Sequence, residues 1–247
     1  MTVAMDANIP KRELTIVIPT YNEKENIQPL VRRLEQSLHN ILWEAIFVDD
    51  DSPDGTSELI KEMRRDDDRI HCLHRTGKKG LSSACIEGIK QSKTPYVAVM
   101  DADLQHDENI LPQMLKCIKE ENLDLVVGSR YVKGGTLGRL SWVRALISRC
   151  ATKVGQIVTG VPLKDPMSGY FLLTRRFFDK NVDRLNGKGF KILLDIYLSS
   201  AEAVKSKECP YQFRIRNAGK SKLGFKVIGD YFSLIFDKSL SQKLVKK

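Results

Sequence analysis

The chain has 247 residues, 42% of them hydrophobic, which is enough for one large domain with a real core and excludes disorder as the default. Its 40 Lys and Arg against 31 Asp and Glu leave a formal net charge of +9, which favours anionic partners (nucleic acid, an anionic membrane or a phosphorylated small molecule) without choosing among them. No run of about 18 apolar residues occurs, so membrane contact is expected to be peripheral or through a partner.

Residues 1–12 lack the apolar stretch of a secretory signal and read as an N-terminal extension. Leu14 to Ile18 is a short branched apolar run, expected to be a buried strand stopped by Pro19 and followed by the polar turn "PTYNE". Ile27, Leu30, Val31, Leu34 and Leu38 recur at helical spacing, which predicts a helix from about Glu25 to Leu38. Ala45 to Val48 is a second strand running into "DDDSPDGT", whose Pro53, Asp54 and Gly55 supply turn chemistry, with Thr56 or Ser57 capping the next helix. A weaker strand at Ile70 to His74, a helix at Ser82 to Gln91 and a strong strand at Tyr96 to Met100 follow. That third strong strand ends in "DADLQH", and a helix at Asn109 to Glu120 and a strand at Leu123 to Gly128 come after it.

Strands alternating with helices predict an α/β fold, a mostly parallel central sheet flanked by helices. Ligands of such sheets gather at the carboxyl ends of the strands, and three successive strands leave polar turns at that edge. No internal repeat or linker is visible. One domain is therefore expected over residues 13–224, with an amphipathic, basic C-terminal segment at 225–247 carrying Phe225, Ile228, Phe232, Ile235 and Phe236 at helical spacing. That face suits either core packing or an interfacial helix. Five cysteines, odd in number and without a CxxC pair, read as reduced residues of a cytosolic protein.

Asp101 and Asp103 stand at i and i+2, which puts both carboxylates on one side if the strand stays extended. They would then chelate one hard cation, Mg²⁺ or Mn²⁺, with Gln105 adding an oxygen; the plain alternative is an Asx-rich turn with solvated carboxylates. "PTYNE" is either a loop that starts a helix or a nucleoside site, with Tyr21 against a base and Glu23 accepting a hydrogen bond. "VDDDSPDGT" carries the same two readings. No GxGxxG follows the first strand, and "GKS" at Gly219 has Arg214 where a P-loop needs glycine, which argues against a dehydrogenase or a P-loop NTPase. His106 is read as a neighbour of the acidic turn rather than a catalytic acid or base.

Taken in order, "PTYNE", "VDDDSPDGT", "MDADLQH", "GSRY", "DPMSGY" and "AGKSKLG" resemble the family 2 glycosyltransferases, in particular the branch that makes dolichol-phosphate mannose and related polyprenyl-phosphate sugars. The resemblance covers roughly Leu14 to Gly224. It implies a GT-A (Rossmann-like) fold and inverting sugar transfer from a nucleotide diphosphate donor, GDP-mannose or a UDP-sugar, to dolichyl or polyprenyl monophosphate. It implies Pro19, Tyr21, Glu23 and Asp50 at the nucleoside with Asp49 nearby, and Asp101, Asp103 and Gln105 at the metal and diphosphate. It also implies Arg130, Arg144 and Ser148 at the acceptor phosphate, Asp165 facing the donor or acceptor pocket, and Arg216 or Arg214 with Lys220 and Lys222 on a late loop that closes over the donor. The expected setting is the cytosolic face of a membrane, reached directly or through a small anchoring subunit, with no role for nucleic acid. Two departures from the family pattern are Lys220, where relatives often carry an acidic residue, and Ser82, where they commonly show glycine.

The residues suit that chemistry. A departing nucleoside diphosphate concentrates negative charge, which a cation and fixed positive groups stabilise. A phosphate monoester, with a second pKa of about 6, is already an anionic nucleophile and needs a cationic cradle more than a base. Ser129 to Lys164 contains Arg130, Lys133, Arg139, Arg144, Arg149, Lys153 and Lys164 and neither aspartate nor glutamate. A sugar-phosphate nucleotidyltransferase, or a non-catalytic membrane or nucleic-acid binding module, are the rival functions at this stage.

Overall fold

Short apolar runs bounded by turn-forming residues become the seven strands of one sheet, and the amphipathic stretches between them become its helices. The computed structural model describes residues 11–136, 161–187, 189 and 191–214. In chain order the elements are β1 (Leu14–Thr20), α1 (Lys24–Ser37), β2 (Trp43–Asp49), α2 (Thr56–Asp66), β3 (Ile70–His74), α3 (Leu81–Gln91) and β4 (Tyr96–Val99). A 3-10 turn (Glu108–Ile110) leads into α4 (Leu111–Glu120), followed by β5 (Leu125–Ser129), β6 (Phe171–Thr174), α5 (Arg175–Asn181), α6 (Ile192–Ser199) and β7 (Ser206–Pro210).

The strand order is β3-β2-β1-β4-β6-β5-β7, parallel except for β6, which runs antiparallel to both β4 and β5. The chain winds outward from β1 to β3 on one side and continues through β4 on the other. The order therefore reverses between β1 and β4, the point at whose carboxyl ends sheets of this kind form a ligand crevice.

Alternate side chains of the strands feed two cores, as a sheet covered on both faces requires. Leu14, Ile16, Ile18, Ala45 and Phe47 face α1 and α4, where Ile27, Leu30, Leu34, Leu111 and Met114 meet them. Val17, Ile46, Val48, Val97 and Val99 face the other way onto Ala84, Cys85 and Ile89 of α3 and Ile192 and Ile196 of α6. The closest packing is at Gly88 of α3, where a Cβ would come within 2.5 Å of Val17 and 2.8 Å of Val48.

Two local expectations are corrected. Pro19 does not stop β1, which pairs with β2 through Thr20↔Asp49. The Val17 carbonyl accepts the Met100 N–H, so odd positions of β1 point towards β4, whose pairing ends at Val17↔Val99. The N–H that Pro19 lacks would thus face a side with no partner strand. Nor do Thr56 or Ser57 cap α2. Gly55, with φ of 83°, occupies the cap, while the Asp54 carboxylate accepts from the Thr56 N–H and hydroxyl and so holds the turn. Among the described cysteines, Cys72, Cys85, Cys117 and Cys209 are free thiols; Cys150 lies outside the described residues. No helix among the described residues is long and apolar enough to cross a membrane.

Away from the crevice, Glu44 of β2 accepts from Thr15 Oγ1 at 2.8 Å and Arg12 Nη1 at 3.2 Å, with His71 Nε2 at 3.6 Å. Burial alone would raise its pKa; the bonds from His71, Thr15 and Arg12 outweigh burial and hold it at about 2 against an ordinary 4.5. A depressed carboxyl pKa stabilises the fold above the unfolded value, and that stability fades as pH falls through the folded one. Glu44→Gln is expected to cost about 2 kcal/mol at pH 7 in urea unfolding. The gap should shrink as pH drops from 4.5 towards 2; an unchanged gap across that range would show that the charge contributes nothing.

Candidate active site

The crevice is framed by the turns that leave β1, β2 and β4. After β1, Thr20 donates through Oγ1 to Asp49 Oδ1 at 3.2 Å, and the Asn22 N–H donates to Ser52 Oγ at 2.9 Å. The Glu23 N–H reaches Thr56 Oγ1, and the Glu23 carboxylate takes the Asn26 amide at 2.8 Å. Glu23 thus stands at the N-cap of α1 with its side chain turned to the helix start. Tyr21 is half-buried, and Lys79 Nζ lies 5.0 Å from its ring centre, a cation over an aromatic face.

The two β2 aspartates have different neighbours. Asp49 is fully buried and accepts from the Ser52 hydroxyl at 2.5 Å and the Ser52 N–H at 3.0 Å, closing its own turn. Asp50 receives Arg75 at Oδ1, from Nε at 2.8 Å and Nη2 at 2.6 Å, and the Gly80 N–H at Oδ2 at 2.8 Å. Arg75, whose side chain is 1% exposed, also bonds Ser83 Oγ, Glu87 and the Gly80 carbonyl. It ties the ends of β2 and β3 to the start of α3, a role absent from the sequence-based reading.

Beyond β4 the chain does not stay extended. Leu104 takes a left-handed φ of 63°, and the Asp103 Oδ1 accepts the Gln105 N–H at 3.1 Å, an Asx turn. The expected period-two placement of the acidic pair is therefore replaced by a bend. The Asp101 side chain is 40% exposed at the crevice, whereas Asp103 is 4% exposed beneath it. A left-handed leucine costs of order 1 kcal/mol, and here its side chain is held in the core, which keeps the bend in place. Asn22 and Asp51 share that conformation, so three of the four described non-glycine residues with positive φ border this crevice.

Under the bend lies an aromatic bed. His106, 3% exposed, stacks on Tyr170 with ring centres 4.9 Å apart and planes at 15°, and Tyr211 and Phe213 approach it edge-on at 5.7 and 6.2 Å. Tyr170 donates its hydroxyl to the Asp107 carbonyl at 2.9 Å. Burial pulls the His106 imidazole down to about 4 and pushes the Tyr170 phenol up, so both are neutral at pH 7. Tyr211 and Phe213 belong to the chain leaving β7, and Arg214 fastens it to the acidic turn. Its N–H donates to the Gln105 carbonyl, its own carbonyl takes Gln105 Nε2 at 3.0 Å, and its guanidinium reaches Asp107 at 2.5 Å and Glu108 at 2.6 Å.

At the end of β5, Arg130 meets Asp165, which is 1% exposed. The Arg130 Nε and Nη2 each donate at 2.8 Å, and the Arg130 backbone N–H adds a third bond at 3.1 Å. Asp165 thus occupies one edge of the guanidinium, a pairing that residues 35 apart in sequence give no sign of. Arg144, Ser148, Arg216, Lys220 and Lys222 lie outside the described residues, as does the 225–247 segment.

The donor set suits a hard divalent cation. Asp101 and Asp103 carry carboxylates, and Gln105, whose Nε2 donates to the Arg214 carbonyl, carries an amide oxygen. Gly169 lies against Asp101, its Cβ position 3.5 and 3.6 Å from the two carboxylate oxygens. No cluster of three or more His, Cys, Asp or Glu able to hold a metal is found among the described residues. Two carboxylates and an amide leave a cation to complete its shell with water and phosphate oxygens, the pattern of Mg²⁺ and Mn²⁺ at phosphate substrates.

The Glycosyl transferase family 2 profile matches residues 15–182, most of the chain and every turn just described except the Arg214 segment. The chain belongs to this family. A dolichol-phosphate mannosyltransferase of Pyrococcus furiosus is 40% identical over 91% of the chain, which spans 63% of that relative's length. The Saccharomyces cerevisiae dolichol-phosphate mannosyltransferase is 34% identical over 89% of the chain and 84% of its own length. Among solved structures, the glucosyl-3-phosphoglycerate synthase of Mycobacterium tuberculosis, crystallised with Mn²⁺, UDP-glucose and phosphoglyceric acid, superposes with a TM-score of 0.68 at 15% identity, covering 92% of this chain and 80% of that one. At that identity the likeness shows the fold alone, the GT-A (Rossmann-like) arrangement anticipated from the sequence.

Proposed function

We propose that this chain is an inverting, metal-dependent glycosyltransferase that moves mannose from GDP-mannose to dolichyl or polyprenyl monophosphate at a membrane surface. The carrying observation is the acidic bend of Asp101 and Asp103 at the end of β4, next to β1 where the strand order reverses, with the Asp101 side chain exposed. The donor and acceptor are suggested by the names of the two dolichol-phosphate mannosyltransferases that the chain resembles over about nine tenths of its length.

In this reading Pro19, Tyr21, Glu23, Asp49 and Asp50 frame the nucleoside pocket, and the ordered β1 and β2 turns hold it in shape before the donor arrives. Asp101, Asp103 and Gln105 would hold Mg²⁺ or Mn²⁺, which supplies positive charge to the departing diphosphate. An oxygen of the acceptor phosphate attacks the anomeric carbon from the face opposite the diphosphate; the new C–O bond forms as the bond to the diphosphate breaks, and GDP leaves with the electron pair. The acceptor enters already deprotonated, so no side chain must take a proton. His106 is unsuited to that task in any case, since its Nδ1 already accepts the Asp101 N–H. Arg130, with Arg144 and Ser148 from the acid-free stretch Ser129–Lys164, would cradle the acceptor phosphate, and Arg216 would close on the donor. The same basic stretch would favour an anionic, cytosolic membrane face.

Purified protein with vesicles containing a polyprenyl phosphate and Mn²⁺ should transfer radiolabel from GDP-mannose into a mild-acid-labile lipid, and EDTA should stop it. A parallel reaction with UDP-glucose tests the other nucleotide, and one with GTP and mannose 1-phosphate tests pyrophosphate release. Active protein that labels no lipid from either sugar nucleotide would overturn the proposal.

A further inference from the structure

His106 holds Asp101 by its backbone. Its Nδ1 accepts the Asp101 backbone N–H at 3.1 Å, which leaves the imidazole proton on Nε2, and Nε2 lies 3.8 Å from Asp101 Oδ2. The ring itself has little freedom, since Tyr170 lies flat against it and Tyr211 and Phe213 close two edges. A Cβ at Gly169 would come within 3.6 Å of both the Asp101 carboxylate and His106 Cε1, so the imidazole and the carboxylate both lie against this glycine. An imidazole that accepts a backbone amide on one nitrogen, and is itself clamped by aromatic rings, is built to hold that stretch of backbone, and with it the point from which the Asp101 side chain springs.

We propose that His106 is a positioning residue for Asp101: by accepting its backbone N–H it fixes the main chain of the more exposed acidic residue, so that Asp101 is in place before a cation and nucleotide arrive. This rests on the reading of Asp101 as a cation ligand given above. It assigns to His106 no proton transfer and no contact with substrate. The energetic logic is that of preorganisation, since backbone held in one conformation beforehand loses no further freedom on binding.

The test compares wild type with His106→Phe, which keeps a ring on Tyr170 but neither nitrogen, and with His106→Asn, which keeps an acceptor near the Asp101 amide but not the clamped ring. Free Mn²⁺ is followed by electron paramagnetic resonance during titration in saturating GDP, and metal-free GDP binding is measured by calorimetry. His106→Phe is expected to weaken Mn²⁺ about 10-fold while GDP binding without metal stays near wild type and the melting temperature falls by a few degrees for the lost backbone acceptor. His106→Asn should recover part of the loss. Mn²⁺ uptake equal to wild type in a folded His106→Phe overturns the proposal; if that variant does not fold, wild-type uptake in His106→Asn does so. Wild type that takes up no Mn²⁺ with GDP or UDP removes the cation reading itself, and this inference with it, whereas wild-type uptake with unaffected variants removes the inference alone.

Discussion

Asp103→Asn should abolish most transfer and leave the fold intact, and its comparison with Asp103→Ala separates two roles that the acidic turn combines. Asparagine retains an oxygen that can accept the Gln105 N–H, so the Asx turn survives while the negative charge is lost. Removing a charged group that holds an electrostatic catalyst typically costs about 100- to 1,000-fold in turnover, equivalent to roughly 3–4 kcal/mol of barrier. Alanine removes the turn acceptor as well and should lower stability by about 1 kcal/mol more. The measurements are kcat at saturating GDP-mannose and Mn²⁺, and melting by circular dichroism. Full activity in Asp103→Asn, with loss only in Asp103→Ala, would mean that the residue shapes the turn and holds no cation.

The strands and their carboxyl-edge turns were legible because burial on both faces of a parallel sheet forces near-continuous apolar runs, and "LTIVI", "AIFV" and "YVAV" are such runs. Ile70–His74 was found at its observed limits even though its alternation is weak, because turn residues bracket it. What spacing misjudged was local. The bend after β4 depends on a left-handed leucine, and leucine carries no sequence preference for that conformation as glycine or asparagine does. It is stabilised by burial against residues far along the chain, and no window of neighbours contains that information.

The partners of the site residues were hidden for the same reason. Asp50 and Arg75, like Arg130 and Asp165, meet only after strands 25 and 35 residues apart have been folded to one edge. Tyr170, Tyr211 and Phe213 are ordinary apolar positions in the sequence and become the bed of His106 only when β6 and the exit from β7 are laid beside the β4 turn. A usable clue was present in "HRTG", where a single arginine at the mouth of β3 falls on the same edge as three aspartates.

That arginine carries the largest expected effect on stability. Arg75 is sealed from solvent and supplies two of the three bonds that reach the Asp50 carboxylate; the Gly80 N–H supplies the third. Arg75→Met preserves much of the volume but leaves a mostly buried carboxylate without its counter-charge, a change that costs about 3–5 kcal/mol when one partner of a buried pair is deleted. For a chain of this size that corresponds to a fall in melting temperature of about 10 °C. Removing the charge at both ends should be far milder, because two apolar or neutral groups impose no unpaired-charge penalty. Arg75→Met combined with Asp50→Asn is therefore expected to melt above Arg75→Met alone, although nucleotide binding should remain weak in both, since Asp50 stands at the crevice on the turn assigned to the nucleoside. If the double variant melts no higher than the single one, Arg75 stabilises through its bonds to Ser83, Glu87 and the Gly80 carbonyl rather than through Asp50.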